Sequence, residues 1–121
     1  MGEKISWNYV AQALNGPSLS AAGDLEVDAY DKLEVSIEDS VAQQIDLVPN
    51  ADVSLLIINP QPPSADLSYE VNGNDVPLDG PQVFIGAGAV SLLGGATSLT
   101  FTNNTGADAV IEILIGRDAT P

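Results

Sequence analysis

Apolar and polar residues alternate with a period of two along most of this chain. Ile5, Trp7, Tyr9, Ala11 and Ala13 alternate with Ser6, Asn8, Val10, Gln12 and Leu14. That spacing predicts a first strand with two unlike faces, ended by Asn15-Gly16-Pro17. The clearest run is 25–37. Leu25, Val27, Ala29, Leu33, Val35 and Ile37 hold odd positions, while Asp24, Glu26, Asp28, Lys32, Glu34, Ser36 and Glu38 hold even ones. One face is predicted to be core and the other wet and acidic. At ~3.3 Å per residue the run would span about 40 Å, too long for one strand of a small domain. A bend or bulge is therefore predicted near Tyr30-Asp31.

The alternation continues downstream. A strand is predicted over Gln43–Val48, with Ile45 and Leu47 inward, followed by a turn at Pro49-Asn50-Ala51-Asp52. Val53–Ile58 is nearly unbroken apolar sequence, as a central strand covered on both faces requires. Asn59-Pro60-Gln61-Pro62-Pro63 is predicted to be a surface loop. Leu67, Tyr69 and Val71 alternate again, Asn72-Gly73 is a hairpin turn signal, and Val76 and Leu78 return. The segment 83–93 reads either as two short strands or as a strand and a helical turn, with Gly94-Gly95 closing it. A strand at Thr97–Thr102, a turn at Asn103–Gly106 and a last strand through Ala109, Ile111, Ile113 and Ile115 read as a final hairpin, followed by a short exposed tail at 117–121. The whole implies about eight or nine strands in one all-β domain, 1–121. Its expected form is an antiparallel, jelly-roll-like β-sandwich, with an Ig-like sandwich as the alternative.

Composition narrows the chemistry. The chain has 121 residues, no cysteine and no histidine. Thiolate and histidine chemistry, including every His-dependent triad, is thereby excluded. Seventeen carboxylates oppose Lys4, Lys32 and Arg117, for a formal net charge of -14. Such a surface repels nucleic-acid phosphates and anionic membranes. A basic protein surface or a divalent cation fits it better, although acidity also serves solubility alone. No signal-peptide pattern and no span-length apolar run is present, so a cytoplasmically made, soluble protein is expected.

The motifs stay weak. Ile85-Gly86-Ala87-Gly88-Ala89-Val90-Ser91 imitates a dinucleotide fingerprint, with Asp108 downstream. It has Ser91 at the third glycine position, and the strands before it read as antiparallel. The carboxylates Asp24, Glu26, Asp28, Asp31 and Glu34 form the candidate interaction face, and calcium is the one cofactor they would suit. A solvated acidic face explains them better. The loop from Asn72 to Gly80 is a second place where oxygens could gather. Trp7 and Tyr9 are candidate contact aromatics, for the core, a neighbouring subunit or a sugar. No catalytic residue is expected. Glycoside hydrolysis would need stacking aromatics that this chain largely lacks, and no Ser-x-x-Lys spacing occurs. Asn103-Asn104-Thr105 reads as a turn.

With catalysis set aside, two expectations remain. One is a structural protein acting through symmetric contacts, a homotrimer or another cyclic oligomer. Small, cysteine-free, helix-poor sandwiches resemble virion components such as capsid-decorating proteins, in architecture and composition only. Its acidic face would dock on a basic shell, and the segments 1–15 and 116–121 would pair with neighbours. The other is a carbohydrate- or calcium-binding module, or an accessory subunit.

Overall fold

The computed structural model describes residues 3–46, 52–61, 63–71, 73–93 and 98–118. Ten strands follow in order: β1 (Glu3–Gln12), β2 (Ser18–Val27), β3 (Ala29–Ile37), β4 (Ala42–Asp46), β5 (Asp52–Gln61), β6 (Ser64–Val71), β7 (Asn74–Leu78), β8 (Gln82–Ile85), β9 (Ser98–Asn103) and β10 (Ala109–Asp118). One helical turn, α1 (Ala87–Val90), and a 3-10 turn, Ser91–Leu93, separate β8 from β9. Segment 83–93 is thus the strand-and-turn alternative. Among the described residues no helix is long and apolar enough to cross a membrane.

The strands form three antiparallel sheets: β3-β10-β5-β8, β4-β9-β6-β7, and a separate two-stranded ribbon, β1-β2. The two four-stranded sheets make the sandwich. Between β3 and β10 the chain changes sheet at every connection except β6 to β7, the jelly-roll-like alternation. The predicted eight or nine strands are therefore eight in the sandwich and two outside it.

Period-two alternation decides which side of each strand is dry. On β10, Ala109, Ile111, Ile113 and Ile115 are buried and meet Leu99, Phe101, Leu67 and Tyr69 in one core cluster. Tyr69 and Phe101 lie 6.0 Å apart, their planes tilted by 45°. Each such fully buried side chain contributes roughly 1.5–3 kcal/mol of transfer free energy.

Four expectations are corrected. The predicted final hairpin does not exist, because β9 and β10 belong to different sheets. Both are apolar and close in sequence, but each is placed by strands far from it in the chain. The predicted loop 59–63 is strand as far as Gln61. Pro60 stands opposite Ile111 of β10, whereas the pairing of β5 with β8 ends at Ile58. Past Ile58 the other flank of β5 has no strand partner among the described residues, so proline's missing N–H breaks no ladder there. The break in 25–37 falls at Asp28, not at Tyr30-Asp31. The Asp28 N–H donates to the Arg117 carbonyl at 2.9 Å, which turns the corner. Finally, Arg117 is not in an exposed tail: it pairs with Ala29 in β10 and is partly buried. Leu47, the turn at 49–51 and Gly94-Gly95 lie outside the described residues.

Asn103 joins the two connections at one end of the sandwich. It is fully buried. Its Nδ2 donates to the carbonyls of Ile37 (2.9 Å) and Ala107 (2.8 Å), and its Oδ1 accepts from the N–H (3.0 Å) and hydroxyl (2.8 Å) of Thr105. Alongside, Asp39 Oδ1 accepts from the Gly106 N–H at 2.9 Å, and the Asp39 N–H donates to Asp108 Oδ1 at 3.2 Å. Gly106 has φ 91°, a conformation that favours glycine.

Asn103→Ala would leave these groups unpaired in a buried setting. The expected cost is about 2–4 kcal/mol, read from the midpoint of denaturant unfolding. Burial also raises the Tyr69 phenol above its usual 10.0. The neutral phenol is favoured in the folded state, so its contribution is complete below the ordinary value and is lost as pH rises through the raised one. Tyr69→Phe is therefore expected to lessen the fall in melting temperature above pH ~10.

Candidate interaction surface

The ribbon β1-β2 is set apart from the sandwich by its exposure. Every residue from Asn8 to Ser20 is exposed. Its register places Ile5 opposite Leu25, Trp7 opposite Gly23, Tyr9 opposite Ala21 and Ala11 opposite Leu19. Paired residues share a face, so from Ile5 and Leu25 outward one face of the ribbon is apolar, with Glu3 opposite Val27 at its root. The other carries Lys4 opposite Glu26, Ser6 opposite Asp24, Asn8 opposite Ala22, Val10 opposite Ser20 and Gln12 opposite Ser18. The Ser6 hydroxyl donates to Asp24 Oδ1 at 3.0 Å across it.

The apolar face starts on the sandwich. A Cβ at Gly116 would meet Leu55 Cβ and Val27 Cγ1 at 3.1 Å and Ile5 Cδ1 at 3.3 Å. This close approach seats the root of the ribbon on β5 and β10. Farther out, Trp7 is half-buried and Tyr9 is exposed. Their rings stack at 6.1 Å, with planes only 8° apart. Trp7 also lies over Gly23, where a Cβ would be 2.8 Å from its Cζ2. Neither aromatic joins the main core cluster.

The five candidate carboxylates do not share one face. Asp24 and Glu26 are on the polar side of the ribbon, and Asp28 is at the corner. Glu34 is exposed on the outer side of the sandwich, directly opposite Glu112. There Lys32 Nζ lies 3.6 Å from Glu112 Oε2. The side chains of Asn59 and Gln61 donate to Glu112 Oε1, which eases the like-charge pairing. Asp31 falls on the inward-facing parity of β3 and is partly buried, with Oδ2 3.5 Å from Arg117 Nε. Among the described residues no three carboxylates are grouped so as to hold a metal ion.

The glycine-rich segment has no helix long enough to present a phosphate site. Gly86 turns at φ 96° into the single turn α1, and the Ser91 hydroxyl donates to the Gly88 carbonyl at 2.6 Å. The fingerprint partner Asp108 instead accepts from the Asp39 N–H. The burial of Asn103 leaves the Asn103-Asn104-Thr105 triplet as a structural turn.

Sequence reasoning missed the first part of the ribbon's second strand. Ser18–Gly23 does not alternate strongly, and its strand character comes from pairing with β1. One signal was available: from Ile5 to Gly23 the chain carries no charge. No protein-family model matches the chain, and no match was found among curated proteins or solved structures.

Trp7 is the chain's single tryptophan, so its emission reports on the ribbon alone. Gly23→Val is expected to push the ring off β2, shift the emission to longer wavelength and raise acrylamide quenching. Unchanged emission would show that Trp7 does not depend on Gly23.

Proposed function

We propose that this chain is a non-enzymatic assembly protein, a virion component of the capsid-decorating kind, which works through contacts with its own copies and with a larger basic shell. The observation that carries the proposal is the ribbon's apolar face, which continues past the sandwich with Tyr9 and Leu19 exposed. An isolated two-stranded ribbon is at best marginally stable in water. A protein that extends one is equipped to lay it against another protein surface. The absence of histidine and cysteine and the net charge of -14 support a binding role over catalysis and favour a basic counterpart. The jelly-roll-like strand order adds an analogy only. Viral capsid domains use it, and so do lectins and cupins.

A second reading rests on the stacked Trp7 and Tyr9 pair, which would suit a sugar ring in a carbohydrate-binding module. Co-sedimentation separates the two. Capsid particles with a basic outer surface would be pelleted with the protein in 0.1 M and 1 M NaCl. Docking through carboxylates is expected to carry the protein into the pellet at low salt. Much of it should be released at high salt, where the Debye length falls from ~10 Å to ~3 Å. A protein that stays in the supernatant at both salts, while its melting temperature rises with an oligosaccharide or Ca²⁺, would overturn the assembly role in favour of the module.

A further inference from the structure

We infer that the apolar face of the β1-β2 ribbon is the surface by which copies of this chain join one another in a closed, symmetric oligomer. The inference deepens the assembly role by naming the contact and its occupant. Burial of the apolar side chains on this face falls from root to tip. Val27 is 1% exposed at the root, and Tyr9 43% and Leu19 64% farther out. The face is continuous, so its outer part is the same kind of surface as its inner part, without a cover.

Charge identifies the cover. Two copies of a chain with net charge -14 repel each other over most of their surface. The ribbon is the exception: from Ile5 to Gly23 it has neither acid nor base. Apolar faces of two ribbons can meet there without bringing carboxylates together. A basic partner would gain from the carboxylates of the sandwich and nothing from an uncharged face. The longer uncharged run, 80–107, exposes Val83 and Leu92, while its strand β9 is spent in the core, where Leu99, Phe101 and Asn103 are buried. The ribbon's edges are also undefended. Natural edge strands are blunted by lysine or proline, yet its one lysine is Lys4 at the root and its one proline is Pro17 in the turn.

Size sets the form of the contact. Strands of 10 residues at ~3.3 Å per residue, paired ~4.8 Å apart, give a face about 33 Å long and roughly 10 Å wide. One ribbon against one ribbon falls short of the ~800 Å² per partner of a standard stable interface. A ring adds the ribbon's open edges to its face, gives each copy two neighbours and closes the assembly.

The test is sedimentation velocity on the full chain and two variants. Leu19→Glu places a carboxylate on the apolar face, and Val10→Glu places one on the polar face of the same ribbon. Both sites are exposed, at 64% and 71%, so neither variant disturbs the core. Circular dichroism and the melting curve confirm that both fold. The expected result is an oligomer for the native chain and Val10→Glu, and the mass of one copy for Leu19→Glu. A native chain that is monomeric up to millimolar concentration, or an oligomer that persists in Leu19→Glu, overturns the inference. A monomer that still pellets with shell particles at low salt would remove the inference alone. A monomer that does not pellet would remove the assembly role with it.

Discussion

The row Ile111, Ile113 and Ile115 on β10 holds the sandwich together, because β10 lies between β3 and β5 while its inner face meets the opposite sheet. Its partners span the chain: Ile113 stands opposite Leu33 on one side and Ile58 on the other. Neither four-stranded sheet has this core to itself. Tyr69, Phe101, Leu67 and Leu99 from the facing sheet complete it. A sheet with one apolar face must bury that face against another layer. The strand alternation between sheets follows from satisfying both layers with one continuous chain.

The same requirement explains the polar features at the ends. Each crossing between sheets brings backbone groups to the rim of the core, where they need partners. At one end Asn103 supplies four hydrogen bonds from a single amide, and Asp39 and Asp108 join the neighbouring connections. At the root of the ribbon, Gly116 leaves room for Val27 and Ile5 above Leu55. Among the described residues the ribbon is thus anchored by the sandwich at its base and by little else along the rest of its length. Charge is divided in the same way, with carboxylates on the sandwich and the ribbon root, and a neutral ribbon beyond.

Much of this was legible in the residues. The inward positions of Leu67, Tyr69, Val71, Ile111, Ile113 and Ile115 follow from alternation, because a pleated strand leaves no other way to bury a period-two row. Asn72-Gly73 marked a hairpin between β6 and β7, and a break in 25–37 followed from length alone. The candidate site was less legible. Asp31 was grouped with four other carboxylates by proximity in sequence, but it sits at an odd position and turns toward Arg117. Trp7 and Tyr9 were correctly placed on one face with Ile5, yet what that face meets depends on Gly23, Leu25 and Val27 from another strand.

Local pattern determined the strands, their inner and outer faces and the acidity of the surface, since each depends on residues within a few positions of one another. Partnership was decided only in the folded chain. Nothing near Ala109 in sequence says that β10 joins β3 and β5 while β9 joins β4 and β6. Nothing near Pro60 says that the pairing of its strand with β8 ends at Ile58. These outcomes depend on which apolar rows fit together across the whole chain, and that competition is settled by packing between distant segments. The ribbon belongs to both accounts: its neutrality is written in residues 5–23, and its exposure beyond the root is decided by the pairing of β1 with β2 apart from both four-stranded sheets.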